Sequence, residues 1–272
     1  MKRPDLRKGL RRGIYVIPTS FTILNLFFGF RSIVNSMSAL EQIANNRPDL
    51  AVNLFEHACW CIFIAAVADT FDGLVARQLG ATSEFGKEYD SLADVVTFGA
   101  APAVLIYAWG LHSLNNLGAG IAFLFLVAVS LRLARFNVMT GKTDYRYFVG
   151  LPSPAGALTI ASIVNYAPAQ VTDDRFATVM LIVTIAVSFS MVSPIRYRSQ
   201  KGLNLQKERS LVYFLAFALI LAVAMKWPRE FFFVGAILYL LSGPLARLWS
   251  IAFPPRHVDP VVEEEAPVEP AS

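Results

Sequence analysis

Long apolar stretches recur along this chain, each near the length that crosses a lipid bilayer, and that recurrence leaves few folds open. Roughly 20 apolar residues span the hydrocarbon core of a membrane. Eight such stretches fall at about 14–38, 51–76, 92–111, 117–138, 152–169, 176–194, 210–226 and 230–252. The composition agrees: 55% of the 272 residues are apolar, with 21 Phe, and the mean hydropathy is +0.50. Soluble domains rarely combine these values. The expected fold is therefore all-α and membrane-integral, with about eight transmembrane helices. The first stretch lacks a small-residue cleavage site and is too long for a signal-peptide core, so it reads as a retained helix.

Lysine and arginine set the expected orientation. Lys2, Arg3, Arg7, Lys8, Arg11 and Arg12 precede the first stretch, Arg77 and Lys87 occupy the second connection, and Lys142 and Arg146 the fourth. The sixth connection holds Arg196, Arg198, Lys201, Lys207 and Arg209, whereas the odd-numbered connections carry only Arg47, Arg175, Lys226 and Arg229. Both termini are thus expected on the cytoplasmic side of a bacterial inner membrane. The organisation reads as a basic arm over 1–13, a transmembrane catalytic domain over 14–253 and a disordered acidic tail over 254–272, rich in Pro, Glu and Val. The net charge of +4 follows membrane topology rather than one soluble face, which argues against nucleic-acid binding and for membrane lipids as the surroundings. Cys59 and Cys61 share one stretch and read as packing residues.

Four carboxylates carry the chemistry. Asp69 and Asp72 stand three residues apart near the end of the second stretch, and Asp90 and Asp94 stand four apart at the start of the third, so each pair projects from one face of its helix. Gly73 and Ala76 share the first face and leave room for a bulky group against the backbone, while Arg77 offers a cationic fork suited to phosphate. Gly86, Asp90 and Asp94 repeat the arrangement at intervals of four. A single acid at a helix end is ordinarily a solvated cap. Four acids at a membrane boundary need cations, and an all-oxygen set suits Mg²⁺, Mn²⁺ or Ca²⁺. Two metals held by four carboxylates, with an arginine and small residues alongside, suit a pyrophosphate substrate.

The run Asp69, Asp72, Gly73, Ala76, Arg77, Gly86, Asp90, Asp94 resembles the signature D-x-x-D-G-x-x-A-R-x8-G-x-x-x-D-x-x-x-D of the CDP-alcohol phosphatidyltransferases at every position. The resemblance implies a six-helix core, here with two further helices. It implies Asp69, Asp72 and Asp90 as metal ligands, with Mg²⁺ or Mn²⁺ at two sites and Ca²⁺ as another occupant, and Asp94 as both ligand and base. It also implies Gly73, Ala76, Arg77, Ser83 and Gly86 as contacts for CDP-diacylglycerol, and a homodimer as an arrangement met in the family.

Within that family the stretches Phe85–Pro102, Ile17–Phe30, Arg132–Asn137 and Phe148–Pro154 are similar to the membrane-integral phosphatidylserine synthases. This second resemblance implies L-serine as acceptor. Thr19 departs from it, since relatives often carry Asn there. Serine needs a cation for its carboxylate, an acceptor for its ammonium and a base for its hydroxyl. Arg132, Arg135 and Asn137 end the fourth stretch on the side of the acids, and Arg135 and Asn137 are the serine-binding candidates, against a reading in which they mark topology and snorkel. Asn25, in an apolar stretch, reads as a helix–helix hydrogen bond. Two alternatives stay open: another acceptor alcohol (glycerol 3-phosphate, inositol phosphate or choline), or a divalent-cation transporter using the acids as its ion site.

Overall fold

Helix α1 (Leu6–Ala44) and helix α2 (Pro48–Leu79) run antiparallel along most of their length. The computed structural model containing them describes residues 6–79, 84–139, 147–194, 196–198 and 222–252. The connection between the two helices is short because Asn46 takes a left-handed φ of 56°, which Asn tolerates better than most residues, and Pro48 and Asp49 then open α2. The polarity of α1 is inverted relative to a water-soluble helix. Thr22, Asn25, Ser32, Asn35 and Ser36 are buried, while Ile23, Leu24, Phe27, Phe30 and Met37 are exposed. Lipid solvates the apolar face, and the polar groups find partners only inside the protein. On α2 the buried residues Ala51, Phe55, Ala58, Ile62 and Ala65 recur in alternating steps of four and three, the spacing that keeps one stripe on the neighbouring helix.

The third segment is continuous in its helical backbone but not straight. Helix α3 (Glu84–Asp94) passes into a π-helical stretch (Val95–Ala100), helix α4 (Ala101–Ile106), a second π-helical stretch (Tyr107–Leu111) and a 3₁₀ turn (His112–Leu114). Pro102 cannot donate a backbone hydrogen bond, and the first widened turn lies directly before it. Asn115, with φ 49° and ψ −126°, reverses the chain into helix α5 (Asn115–Met139). The reversal is tight: a Cβ on Gly118 would lie 2.9 Å from the carbonyl carbon of Leu111.

Two short strands, β1 (Tyr147–Val149) and β2 (Arg196–Arg198), pair antiparallel with Phe148 opposite Tyr197. This ribbon is an addition to the all-helical expectation; two connections leaving the same face of the bundle meet there. Gly150 follows β1 with φ +82°, and a Cβ on it would lie 3.0 Å from the carbonyl carbon of Met191. Helix α6 (Ser153–Tyr166) is almost wholly buried. Helix α7 (Asp174–Val192) follows, its first turn capped by the Asp173 side chain accepting from the Arg175 amide at 2.9 Å. Helix α8 (Pro228–Ala252) is held by aromatic contacts: Phe232 stacks on Phe63 with centroids 4.5 Å apart, and Phe233 stacks on Tyr166 at 4.7 Å. Arg229 pairs with Glu56 beside them.

Among the described residues, five segments are long and apolar enough to cross a membrane: Ser20–Ala44, Pro48–Val75, Glu84–Val138, Asp174–Val192 and Pro228–Arg247. The expected count of eight is therefore met only in its coarse form, and three of the expected stretches account for the difference. The 55 residues from Glu84 to Val138 would reach about 80 Å as one straight helix, but the reversal at Asn115 folds them into two antiparallel limbs. At 14 residues α6 is too short to qualify by length. The stretch expected at 210–226 lies mostly outside the described residues, as does the tail over 254–272.

Candidate active site

The buried stripe of α2 does not stop at Ala65. It continues in the same spacing through Asp69 to Asp72, so the packing that presses α2 onto α1 also carries both acids inward. Asp72 is 7% exposed and accepts a hydrogen bond from the Thr22 hydroxyl of α1. Asp94, 8% exposed at the end of α3, accepts from Asn25 Nδ2 at 3.2 Å. Asn25 is fixed in turn, because its backbone carbonyl accepts from Thr97 Oγ1 at 3.2 Å. Gly29, one turn further along α1, makes this approach sterically feasible: a Cβ there would sit 2.8 Å from the Thr97 Cα. Thr97 belongs to the π-helical stretch that begins directly after Asp94, a local widening of the kind that often accompanies functional sites.

Asp69, Asp90 and Asp94 converge. Each offers a carboxylate oxygen, and these oxygens lie within 4.8 Å of one another. Asp90 Oδ1 is buried with no hydrogen-bond partner among the described residues. Like charges about 4 Å apart repel by about 4 kcal/mol at an effective dielectric of about 20, so three such groups ionised together could hold a cation between them. The donor set is all oxygen, which suits a hard divalent ion and disfavours zinc. Asp72, the fourth acid of the motif, lies outside this group of three, engaged by Thr22 but close enough to Asp69 and Asp90 for electrostatic coupling.

The remaining positions singled out in the sequence are distributed around this centre. Gly73 lies one residue beyond Asp72 on α2, and Gly86 one turn before Asp90 on α3; both are half-buried. Ala76 and Arg77 continue the helical backbone of α2, with side chains outside the described set, and Ser83 lies outside the described residues. Arg135 is exposed, its Nη1 donating to the Val192 carbonyl at 3.4 Å, and Asn137 is exposed, donating to Ser91 Oγ at 2.9 Å. Both stand at the acid-bearing end of the bundle.

Residues 15–192 match the CDP-alcohol phosphatidyltransferase family, a stretch that contains every element of this centre. The chain belongs to the CDP-alcohol phosphatidyltransferases. It is 31% identical over 231 residues to a CDP-diacylglycerol–serine O-phosphatidyltransferase of Helicobacter pylori, covering 85% of this chain and 90% of that protein. Identity to the enzyme of the same name from Mycobacterium leprae is 32% over 264 residues, covering 93% and 81% respectively. An archaetidylserine synthase of Methanothermobacter thermautotrophicus is 35% identical over 190 residues, covering 69% and 72%.

Three positions at the centre carried no site assignment from sequence. Thr22 and Asn25 belong to the stripe Thr22, Asn25, Gly29, Ser32, Ser36, whose alternating steps of three and four mark it as an inward face within an otherwise apolar run. Arg132 lies one turn deeper than Arg135, half-buried, donating from Nη1 to Ser153 Oγ at 2.9 Å and within electrostatic reach of Asp94. Its place one turn further into the hydrophobic stretch than Arg135 was the available signal.

Proposed function

We propose that this chain transfers the phosphatidyl group of CDP-diacylglycerol to L-serine, giving phosphatidylserine and CMP. The observation that carries the reading is the convergence of Asp69, Asp90 and Asp94 within a chain whose relatives, matched over most of their length, bear the name CDP-diacylglycerol–serine O-phosphatidyltransferase. Asp69, Asp90 and Asp94 would hold Mg²⁺ or Mn²⁺, with Asp72 beside them completing the acid set for a second ion. Bound there, a divalent metal neutralises pyrophosphate oxygens and makes CMP a better leaving group.

The chain's own groups supply the rest. Asp94 takes the proton of the serine hydroxyl. The serine oxygen then forms its bond to the phosphatidyl phosphorus as the bond from that phosphorus to the CMP oxygen breaks. Gly73 and Gly86, lacking side chains, leave the nucleotide room against the two helices, and Ala76, Arg77 and Ser83 complete the CDP contacts. The helix ends bearing the acids face the cytoplasm of a bacterial inner membrane. There the water-soluble acceptor enters from one side while the diacyl chains remain in lipid. The count of eight crossings includes the apolar stretch at 210–226, which is read from the sequence alone.

The deciding experiment is CMP release from CDP-diacylglycerol in mixed micelles with each acceptor in turn. Serine should act far faster than glycerol 3-phosphate and yield a primary-amine lipid. Equal or better rates with glycerol 3-phosphate would overturn the assignment. A transporter would require further cation sites along a path across the membrane, and among the described residues Asp69, Asp90 and Asp94 form the one group of three or more potential metal ligands.

A further inference from the structure

Two buried polar atoms in the neighbourhood of Asp94 have nothing bound to them among the described residues: Asn25 Oδ1, on the amide that donates to Asp94, and Arg132 Nε, on a guanidinium within electrostatic reach of it. They are of opposite character. Asn25 is fully buried and its Nδ2 is committed to Asp94 Oδ1, which leaves its amide oxygen as an acceptor without a donor. Arg132 has one guanidinium nitrogen committed to Ser153 Oγ, which leaves Nε–H as a donor without an acceptor. A buried polar group lacking a partner is destabilising, and more so when charged, so two such atoms near one carboxylate point to a ligand carrying the complementary groups. L-serine has that pattern: a hydroxyl to be deprotonated, with an ammonium and a carboxylate on the next carbon.

We propose that Asn25 and Arg132 form the acceptor clamp near Asp94, Arg132 taking the serine carboxylate through Nε and Asn25 Oδ1 accepting from the serine ammonium. The assignment rests on the serine-acceptor reading above and deepens it. A guanidinium binds a carboxylate through paired N–H groups more selectively than an ammonium does. The Ser153 contact fixes the fork, and the buried setting removes competing water. The amide oxygen is neutral, so it receives the ammonium without adding a further negative charge to the three carboxylates. Arg135 and Asn137 stand at the exposed end of α5 and are engaged by Val192 and Ser91. They lack the burial that gives a short, water-soluble acceptor its selectivity.

The test compares acceptors that lack one group. CMP release by the full-length chain with CDP-diacylglycerol and Mn²⁺ is measured with L-serine, with ethanolamine (no carboxylate) and with 3-hydroxypropanoate (no ammonium). Where turnover of an analogue is slow, it is titrated as a competitor against serine. Arg132→Gln should raise the serine KM by roughly 10–100-fold and leave ethanolamine recognition nearly unchanged, so that preference for serine over ethanolamine collapses. Arg132→Lys should restore part of it. Asn25→Leu should instead erase the preference for serine over 3-hydroxypropanoate. Equal losses with serine and ethanolamine in Arg132→Gln, or an unchanged serine KM, would overturn the clamp while leaving the acceptor intact. A wild-type chain that releases no CMP with serine would overturn the acceptor reading and the clamp with it.

Discussion

The hydroxyl of Thr22 donates to Asp72 across 50 residues of chain, and this bond separates the fourth carboxylate from the three that converge. Asp69 faces Asp90 and Asp94 across the junction of α2 and α3, whereas Asp72, one turn further along, faces α1. The carboxylates are therefore not equivalent, and their variants should differ.

Asp69→Ala removes the only member of the convergent three supplied by α2. CMP formation should be lost, together with the rise in thermal midpoint on adding Mn²⁺, while membrane insertion is retained because the apolar stripe of α2 is untouched. Activity at ordinary Mg²⁺ or Mn²⁺ concentrations would show that these carboxylates do not hold the metal.

Asp94→Asn keeps a carbonyl oxygen for a metal and the contact with Asn25, but cannot accept the serine hydroxyl proton. Loss of a general base is worth about 10²–10⁴-fold in rate. The kcat should fall by that order while CDP-diacylglycerol affinity, followed by binding of the labelled lipid, changes much less. A parallel collapse of binding would make Asp94 chiefly a ligand.

Thr22→Val preserves shape and removes the hydroxyl, leaving the buried Asp72 carboxylate without this donor. The variant should be about 1–3 kcal/mol less stable in detergent unfolding titrations and require more Mn²⁺ for half-maximal activity, with Thr22→Ser close to wild type. Unchanged stability and metal requirement in Thr22→Val would show that Asp72 does not depend on α1.

Gly29→Ala puts a methyl group 2.8 Å from the Thr97 Cα. Overpacking of this kind costs about 1–3 kcal/mol, and the displacement of α1 should loosen the Asn25–Asp94 contact, lowering kcat more than lipid affinity. Adding Thr97→Ala should not rescue the variant, because the obstructing Cα remains. Full rescue would locate the conflict in the hydroxyl alone.

The acid-bearing ends of α2 and α3 and the Asn137 end of α5 lie on one face of the bundle, and Asp174 opens α7 on the other. In a background lacking Cys59 and Cys61, a cysteine at Lys87 should react with an impermeant maleimide from the cytoplasmic side only, and one at Asp174 from the opposite side only. Labelling of both from the same side would contradict this topology.

What the sequence by itself determined were the features that act locally. Long apolar runs force helices because lipid offers the backbone no hydrogen bonds, and the spacing of Asp69, Asp72, Asp90 and Asp94 places acids on two helix faces whatever the rest of the chain does. The tertiary structure decided what depends on which helices meet. It drew Asp69, Asp90 and Asp94 into one group and gave Asp72 to Thr22. It brought Asn25 to Asp94 through the close contact at Gly29, and it anchored Arg132 on Ser153 deeper in the bundle than Arg135. It also folded the 84–138 segment back at Asn115, where the turn of the chain rests on one left-handed residue and a glycine fitted beneath a carbonyl. The contacts of the site join residues 21 to 69 positions apart, so no local periodicity carries them; they exist because helix packing brings the polar stripe of α1 against the acids of α2 and α3, and α5 against α6.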